Sequence, residues 1–109
     1  MQITKITDTY SVADQISVAD IPLIKARGFQ VIMCNRPDGE EFGQPEVEII
    51  RQAVGDHGLK FYFVPMAHTG LGPTTLHDFA DVITQETGPI LAYCRTGNRC
   101  TMLWNATQN

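Results

Sequence analysis

The chain has 109 residues, of which 43% are hydrophobic and 18% charged. That is enough for one domain with a layered core, and the composition is that of an ordered globular protein. A formal net charge of −4 and a pI near 5.1 argue against nucleic acid or an anionic membrane surface as the main partner.

No apolar run approaches the ~18 residues of a membrane span, and Met1-Gln-Ile-Thr-Lys5 lacks the apolar region of a signal peptide. Cys34, Cys94 and Cys100 are an odd number without the spacing of a secreted framework. Reduced thiols in a cytoplasmic protein are the expectation. His57, His68 and His77 are scattered and pair with no cysteine at zinc spacing, so neither metal nor cofactor is expected.

In chain order, Ile3 to Ile16 carries Tyr10, Val12 and Ile16 in partial alternation, which predicts a short strand or hairpin. Asp20 can cap a helix with Pro22 in its first turn, ending at Gly28. Phe29 to Cys34 is apolar and β-branched, as a central strand should be. Asn35-Arg-Pro-Asp-Gly-Glu-Glu41 follows, a turn signal that also brings an arginine and three carboxylates to a strand end. Pro45 fits the first turn of a second helix, whose stripe is Val47, Ile50 and Val54 and which Gly58 closes. Phe61 to Val64 reads as a strand, Met66 to Pro73 as a glycine-rich loop. Thr74 or Thr75 caps a third helix burying Leu76, Phe79, Ala80 and Ile83. Gly88 ends it, Pro89 opens the last strand, and a final helix, signalled by Met102, Leu103 and Ala106, runs to about Ala106.

Strands therefore alternate with helices across residues 1–109. The expected fold is a single α/β domain of three layers, a mostly parallel sheet flanked by helices with right-handed crossovers. In such sheets the ligand sits beyond the carboxyl ends of the strands. Those ends are the loops 34–41, 65–73 and 94–99, which should converge.

The last of these loops carries the chemistry. Pro89-Ile-Leu-Ala-Tyr-Cys94-Arg-Thr-Gly-Asn-Arg99-Cys100 reads as a buried strand, a tight loop and a helix N-terminus. A helix start leaves unpaired N–H groups and a positive dipole end, which together favour an anion. Arg95, Thr96, Gly97, Asn98 and Arg99 would line that cradle, with Gly97 allowing positive φ and close backbone approach. The same dipoles and arginines should depress the pKa of Cys94 and make it a thiolate nucleophile toward an anionic substrate. Arg95 either joins the cradle or points outward to steer substrate, and Thr96 either orients the thiolate or suits the turn.

The chain resembles the beta-lactamase-hydrolase-like family of small bacterial proteins with a protein-tyrosine-phosphatase-like fold. The resemblance rests on Val31-Ile-Met-Cys-Asn-Arg-Pro-Asp-Gly-Glu40, Val64-Pro-Met-Ala67, and Gly88-Pro-Ile-Leu-Ala-Tyr-Cys-Arg-Thr-Gly-Asn-Arg99 with Leu103-Trp104 after it. It implies a cysteine-dependent phosphatase-like domain, which in some relatives precedes a metallo-β-lactamase-type domain. Two features differ from tyrosine phosphatases. Tyr93 stands where a histidine is usual, and Arg99 comes one position early, with Cys100 as the sixth residue after Cys94. The loop after Val64-Pro65 also offers His68 and no aspartate to protonate a leaving oxygen. General acid catalysis contributes about 10²–10⁴-fold, so Asp38, Glu40 or His68 would have to supply it. The loop Tyr-Cys-Arg-Thr-Gly-Asn-Arg is also similar to rhodanese sulfurtransferases, whose shorter loop suits a persulfide on the cysteine.

The leading expectation is therefore phosphatase-like hydrolysis through a covalent cysteinyl intermediate, with Cys94, Arg99, Asp38 and His68 as catalytic residues. A sulfurtransferase with a Cys94 persulfide is the close alternative. The substrate would be a phosphate ester in one case and thiosulfate or a persulfide in the other. Non-catalytic rivals are an anion-binding module and a thiol redox sensor in which Cys100 resolves an oxidised Cys94. Cys34 and Trp104 are expected chiefly in the core.

Overall fold

Ile90–Tyr93 is an unbroken apolar run, and all four residues are buried. A strand without a polar face must be covered on both sides, which is the position of a central strand in a parallel sheet. The computed structural model, which describes residues 1–108, places it there. Among the described residues the elements are β1 (Ile3–Lys5), β2 (Tyr10–Ala13), a 3₁₀ turn (Val18–Asp20), α1 (Ile21–Ala26), β3 (Val31–Cys34), α2 (Val47–Asp56), β4 (Lys60–Phe63), α3 (Pro73–Gln85), β5 (Ile90–Tyr93) and α4 (Asn98–Thr107). The sheet order is β1-β2-β5-β3-β4.

β2, β5, β3 and β4 are parallel, and β1 pairs antiparallel with β2 at one edge. The hairpin reading of the N-terminal segment therefore adds a fifth strand to the simple alternation. Registers Val31↔Ile90 and Cys34↔Tyr93 align the carboxyl ends of β3 and β5.

Strand periodicity sorts the core into two halves. Ile90, Ala92 and Cys94 join Phe79 and Val82 of α3 and Cys100 and Leu103 of α4. Leu91 and Tyr93 join Ile21 and Ile24 of α1 and Val47, Ile50, Ala53 and Val54 of α2. The result is the expected three layers. Cys34 packs in the α1/α2 half, so the sheet separates it from Cys94 and Cys100.

Several element boundaries differ from the sequence expectation. The first helical segment opens as the 3₁₀ turn, with the Ser17 N–H donating to the Asp20 carboxylate at 2.9 Å. α2 begins at Val47, two residues beyond Pro45. α3 begins at Pro73 with Gly72 as cap, and Thr75 donates its hydroxyl instead to Pro65 O at 3.1 Å. Val82, rather than Ala80, shares the fully buried face of α3 with Phe79. Met102 is exposed on α4, while Leu103 is buried.

Candidate active site

Three backbone hydrogen bonds and one from a side chain pull the strand-end loops together. Asn35 N–H donates to Tyr93 O at 2.8 Å, Met66 N–H to Asn35 O at 3.0 Å, and Cys94 N–H to Ala13 O at 3.3 Å. The Asn35 side-chain amide donates to Val64 O at 2.8 Å. The loop after β5 is thus fixed at its root on both flanking strands.

Gly97 adopts φ 90°, the left-handed region that glycine enters without steric cost, and caps α4. This turn aims its N–H at Cys94 Sγ, 3.0 Å away. Cys94 is buried among these donors, and its pKa falls to about 5. The largest cause is a hydrogen bond from the Cys100 thiol, and the backbone N–H groups of Cys100, Thr96 and Arg99 add to it against the cost of burial. Burial drives the Cys100 pKa well upward, so it keeps its proton and remains a donor. All three cysteines are free thiols. At neutral pH Cys94 is a thiolate, the reactive form.

Arg99 acts electrostatically on this thiolate. Its Nη1 donates to Glu40 Oε2 and to Met66 O, both at 2.8 Å, and its Nη2 donates to Glu40 Oε1 at 2.7 Å. A guanidinium has five N–H donors in a rigid fork. The end-on pair is spent on Glu40 and the outer Nη1 proton on Met66. Nε–H and the second Nη2 proton donate to no oxygen among the described residues. Cys94 itself contributes a hydrogen bond that raises the Arg99 pKa, after the larger effect of Glu40.

Two adjoining cavities open over the loop. One, of about 470 Å³, is lined by Gly39, Glu40, His68, Arg95 and Arg99. The other, of about 260 Å³, shares His68, Arg95 and Arg99 and adds apolar wall from Met66 and Met102. Arg95 is exposed and touches Glu41 at 3.4 Å. Thr96 Oγ1 accepts from Asn98 N–H at 3.3 Å, which braces the turn.

The candidate acids separate sharply. Glu40 accepts from both Arg99 and Arg36, and its pKa falls to about 2, with the Arg99 hydrogen bond the largest cause. It is ionised at neutral pH and has no proton to give. Asp38 is engaged elsewhere: its Oδ1 accepts from Val47 N–H at 2.8 Å at the start of α2, and it lines neither cavity. His68 is exposed in both cavities, with Nδ1 4.0 Å from Glu40 Oε2.

Sequence reasoning missed Arg36 and Glu41 as neighbours of this site. Arg36 is fully buried and binds Glu40, Glu41 and Gln15. The only signal was a charge cluster at a strand end, which does not distinguish a solvated loop from a buried network.

Comparison with known proteins bears on the family and the fold. Residues 2–109 match the family model described as beta-lactamase hydrolase-like protein, phosphatase-like domain. A beta-lactamase hydrolase-like protein of Agrobacterium fabrum is 32% identical over 104 residues, covering 95% of this chain and 24% of that protein. The chain thus spans about a quarter of the length of the curated relatives it matches. A crystal structure from Neisseria meningitidis, named a "putative phosphatase", superimposes with a TM-score of 0.89 at 35% identity, covering 99% of this chain and 77% of that one. The core catalytic domain of the PP-IP phosphatase Siw14 from S. cerevisiae, in complex with citrate, gives a TM-score of 0.66 at 18% identity, covering 87% of this chain and 56% of that one, a likeness of fold alone. Matched along nearly its whole length by that family model, with a cysteine loop at the carboxyl end of β5, this chain is a member of the beta-lactamase hydrolase-like family, as its phosphatase-like domain.

Proposed function

We propose that the chain hydrolyses a small phosphate ester through Cys94. The observation that carries this is the Cys94 sulfur, held by Gly97 N–H at 3.0 Å in the same loop as the Arg99 guanidinium, with its pKa lowered to about 5. The thiolate attacks phosphorus and forms a phosphocysteine, and the ester oxygen leaves with a proton from His68 or water. Water then cleaves the P–S bond and restores the thiolate. The loop amides and Arg99 stabilise charge on the non-bridging oxygens, the largest catalytic contribution in sites of this kind.

A second reading has its own support. The carboxylate nearest the thiolate loop, Glu40, is held ionised, and Asp38 is spent on α2. Sulfur transfer needs no alkoxide protonation. Cys94 thiolate would take the outer sulfur of thiosulfate, release sulfite, and pass that sulfur from its persulfide to cyanide as thiocyanate.

Wild type and Cys94→Ser are to be assayed for phosphate release from an aryl phosphate and for thiocyanate from thiosulfate and cyanide. Cys94-dependent phosphate release is the expected result. Cys94-dependent thiocyanate alone would replace the first reading with the second, and turnover unchanged in Cys94→Ser would overturn both.

A further inference from the structure

Arg36 is a guanidinium with no exposed side-chain surface, placed two residues after the end of β3. A buried charge is costly, and an apolar residue of similar size often stabilises a fold as well. Its partners suggest why the charge is kept. Nε donates to Glu40 Oε1 at 2.9 Å, Nη2 to Glu41 Oε1 at 3.1 Å and Nη1 to Gln15 Oε1 at 2.9 Å. Each carboxylate then reaches one arginine of the cysteine loop. Glu40 holds Arg99 at 2.7 and 2.8 Å, and Glu41 touches Arg95 at 3.4 Å. Glu40 Oε1 is shared between Arg36 and Arg99. The two branches differ in firmness: the Glu40 and Arg99 side chains are 14% and 11% exposed, whereas Glu41 and Arg95 are 45% and 61% exposed.

We propose that Arg36 is the positioning residue of the anion site, setting Arg99 through Glu40 and, more loosely, Arg95 through Glu41. The inference rests on the reading of the Cys94 loop as an anion site. One planar fork reaching three acceptors fixes where the Glu40 carboxylate lies. That carboxylate in turn holds one Nη1 and one Nη2 donor of Arg99, whose charge acts on Cys94. A lysine cannot reproduce this, because its ammonium is a point charge without a fork. Arg36 touches neither Cys94 nor the cavities, so its effect on the site passes through the carboxylates.

The test is a double-mutant cycle on the full chain with Arg36→Lys, Glu40→Gln and the pair, using inorganic phosphate as probe. The readouts are phosphate Kd by calorimetry, kcat and KM on the aryl phosphate, and the melting temperature. Misplacing a bidentate clamp should raise the phosphate Kd in Arg36→Lys by about 10- to 100-fold. In the Glu40→Gln background the same change should have less than about a threefold effect, because the route to Arg99 is already cut. Equal effects in both backgrounds, or a lower melting temperature with unchanged Kd, would reduce Arg36 to a structural staple and overturn the proposal. Should Arg36→Lys fail to fold, Gln15→Ala loosens Arg36 while keeping its charge. It should raise the Kd by about threefold, roughly one hydrogen bond's worth, and an unchanged Kd would overturn the proposal. A wild type that neither binds phosphate nor turns over substrate would defeat the anion-site reading itself, a result distinct from wild-type binding that Arg36→Lys leaves intact.

Discussion

Cys94 shows how a residue's chemistry is set by its donors. An ordinary cysteine titrates near 9.0, while here the Cys100 thiol and the loop amides bring Cys94 to about 5. Its alkylation rate by iodoacetamide should therefore rise with pH to a midpoint near 5 and stay flat through neutrality. A midpoint above 8 would show that the loop does not stabilise the thiolate. The same shift has a consequence for stability. The folded pKa lies below the unfolded value of 9.0, so the stabilisation is full above about pH 9 and is lost as pH falls toward 5. Cys94→Ser should remove that slope. Glu40 follows the same sign in a lower window: its stabilisation is present above 4.5 and lost as pH falls toward 2. Thermal melts across pH on both proteins separate the two contributions.

At the scale of an element, the junction of β5 and α4 depends on one backbone conformation. Gly97 holds φ 90° and caps α4 while donating to Cys94. A Cβ there would meet only ordinary contacts, the nearest being Ala13 O at 3.5 Å. The cost of Gly97→Ala is therefore conformational, about 1–2 kcal/mol for forcing an L residue into the left-handed region. The loop would relieve that strain by turning its N–H away from Cys94. Gly97→Ala is expected to lose activity well beyond its loss of stability and to raise the alkylation midpoint of Cys94. Retained activity with a normal midpoint would show that the turn is not what holds the thiolate. α4 is held from below as well: the Tyr10 hydroxyl donates to Cys100 O at 2.8 Å, and its ring stacks on Trp104 at 4.6 Å.

For the whole molecule, the site stands on a core divided by the sheet. Phe79 is fully buried in the half that contains Cys94 and Cys100, edge-on to Tyr10 at 5.8 Å. Phe79→Ala should cost about 3–5 kcal/mol through lost burial and the cavity left behind. That is a large part of the stability of a domain this size. Denaturant unfolding measures the loss directly, and a cost under ~1 kcal/mol would show that this half of the core is loosely packed. The variant should still have its Cys94 loop formed at low temperature, because the loop is also fixed by the backbone bonds of Cys94 N–H to Ala13 O and Asn35 N–H to Tyr93 O.

Much of this was legible in the chain alone. The apolar runs Val31–Cys34 and Ile90–Tyr93 mark central strands because only doubly covered strands lack a polar face. The change from such a run to Cys94-Arg-Thr-Gly-Asn-Arg99 marks the strand-to-helix turn that carries Cys94, because local backbone chemistry builds a strand, a glycine turn and a helix start. Helix boundaries were less legible: Pro73 and Gly72 displaced Thr74 and Thr75, since the cap depends on where Thr75 finds a partner, here Pro65 O. The fate of the acids was not legible at all. Asp38, Glu40 and His68 look equivalent as residue types. Only the packing decides that one caps α2, one is pinned by two arginines, and one remains in the cavity. Arg36 is the clearest case, because burial of a charge is a property of what surrounds it. Its partners Gln15, Glu40 and Glu41 come from two loops that meet only when the sheet brings β2 and β3 to either side of β5.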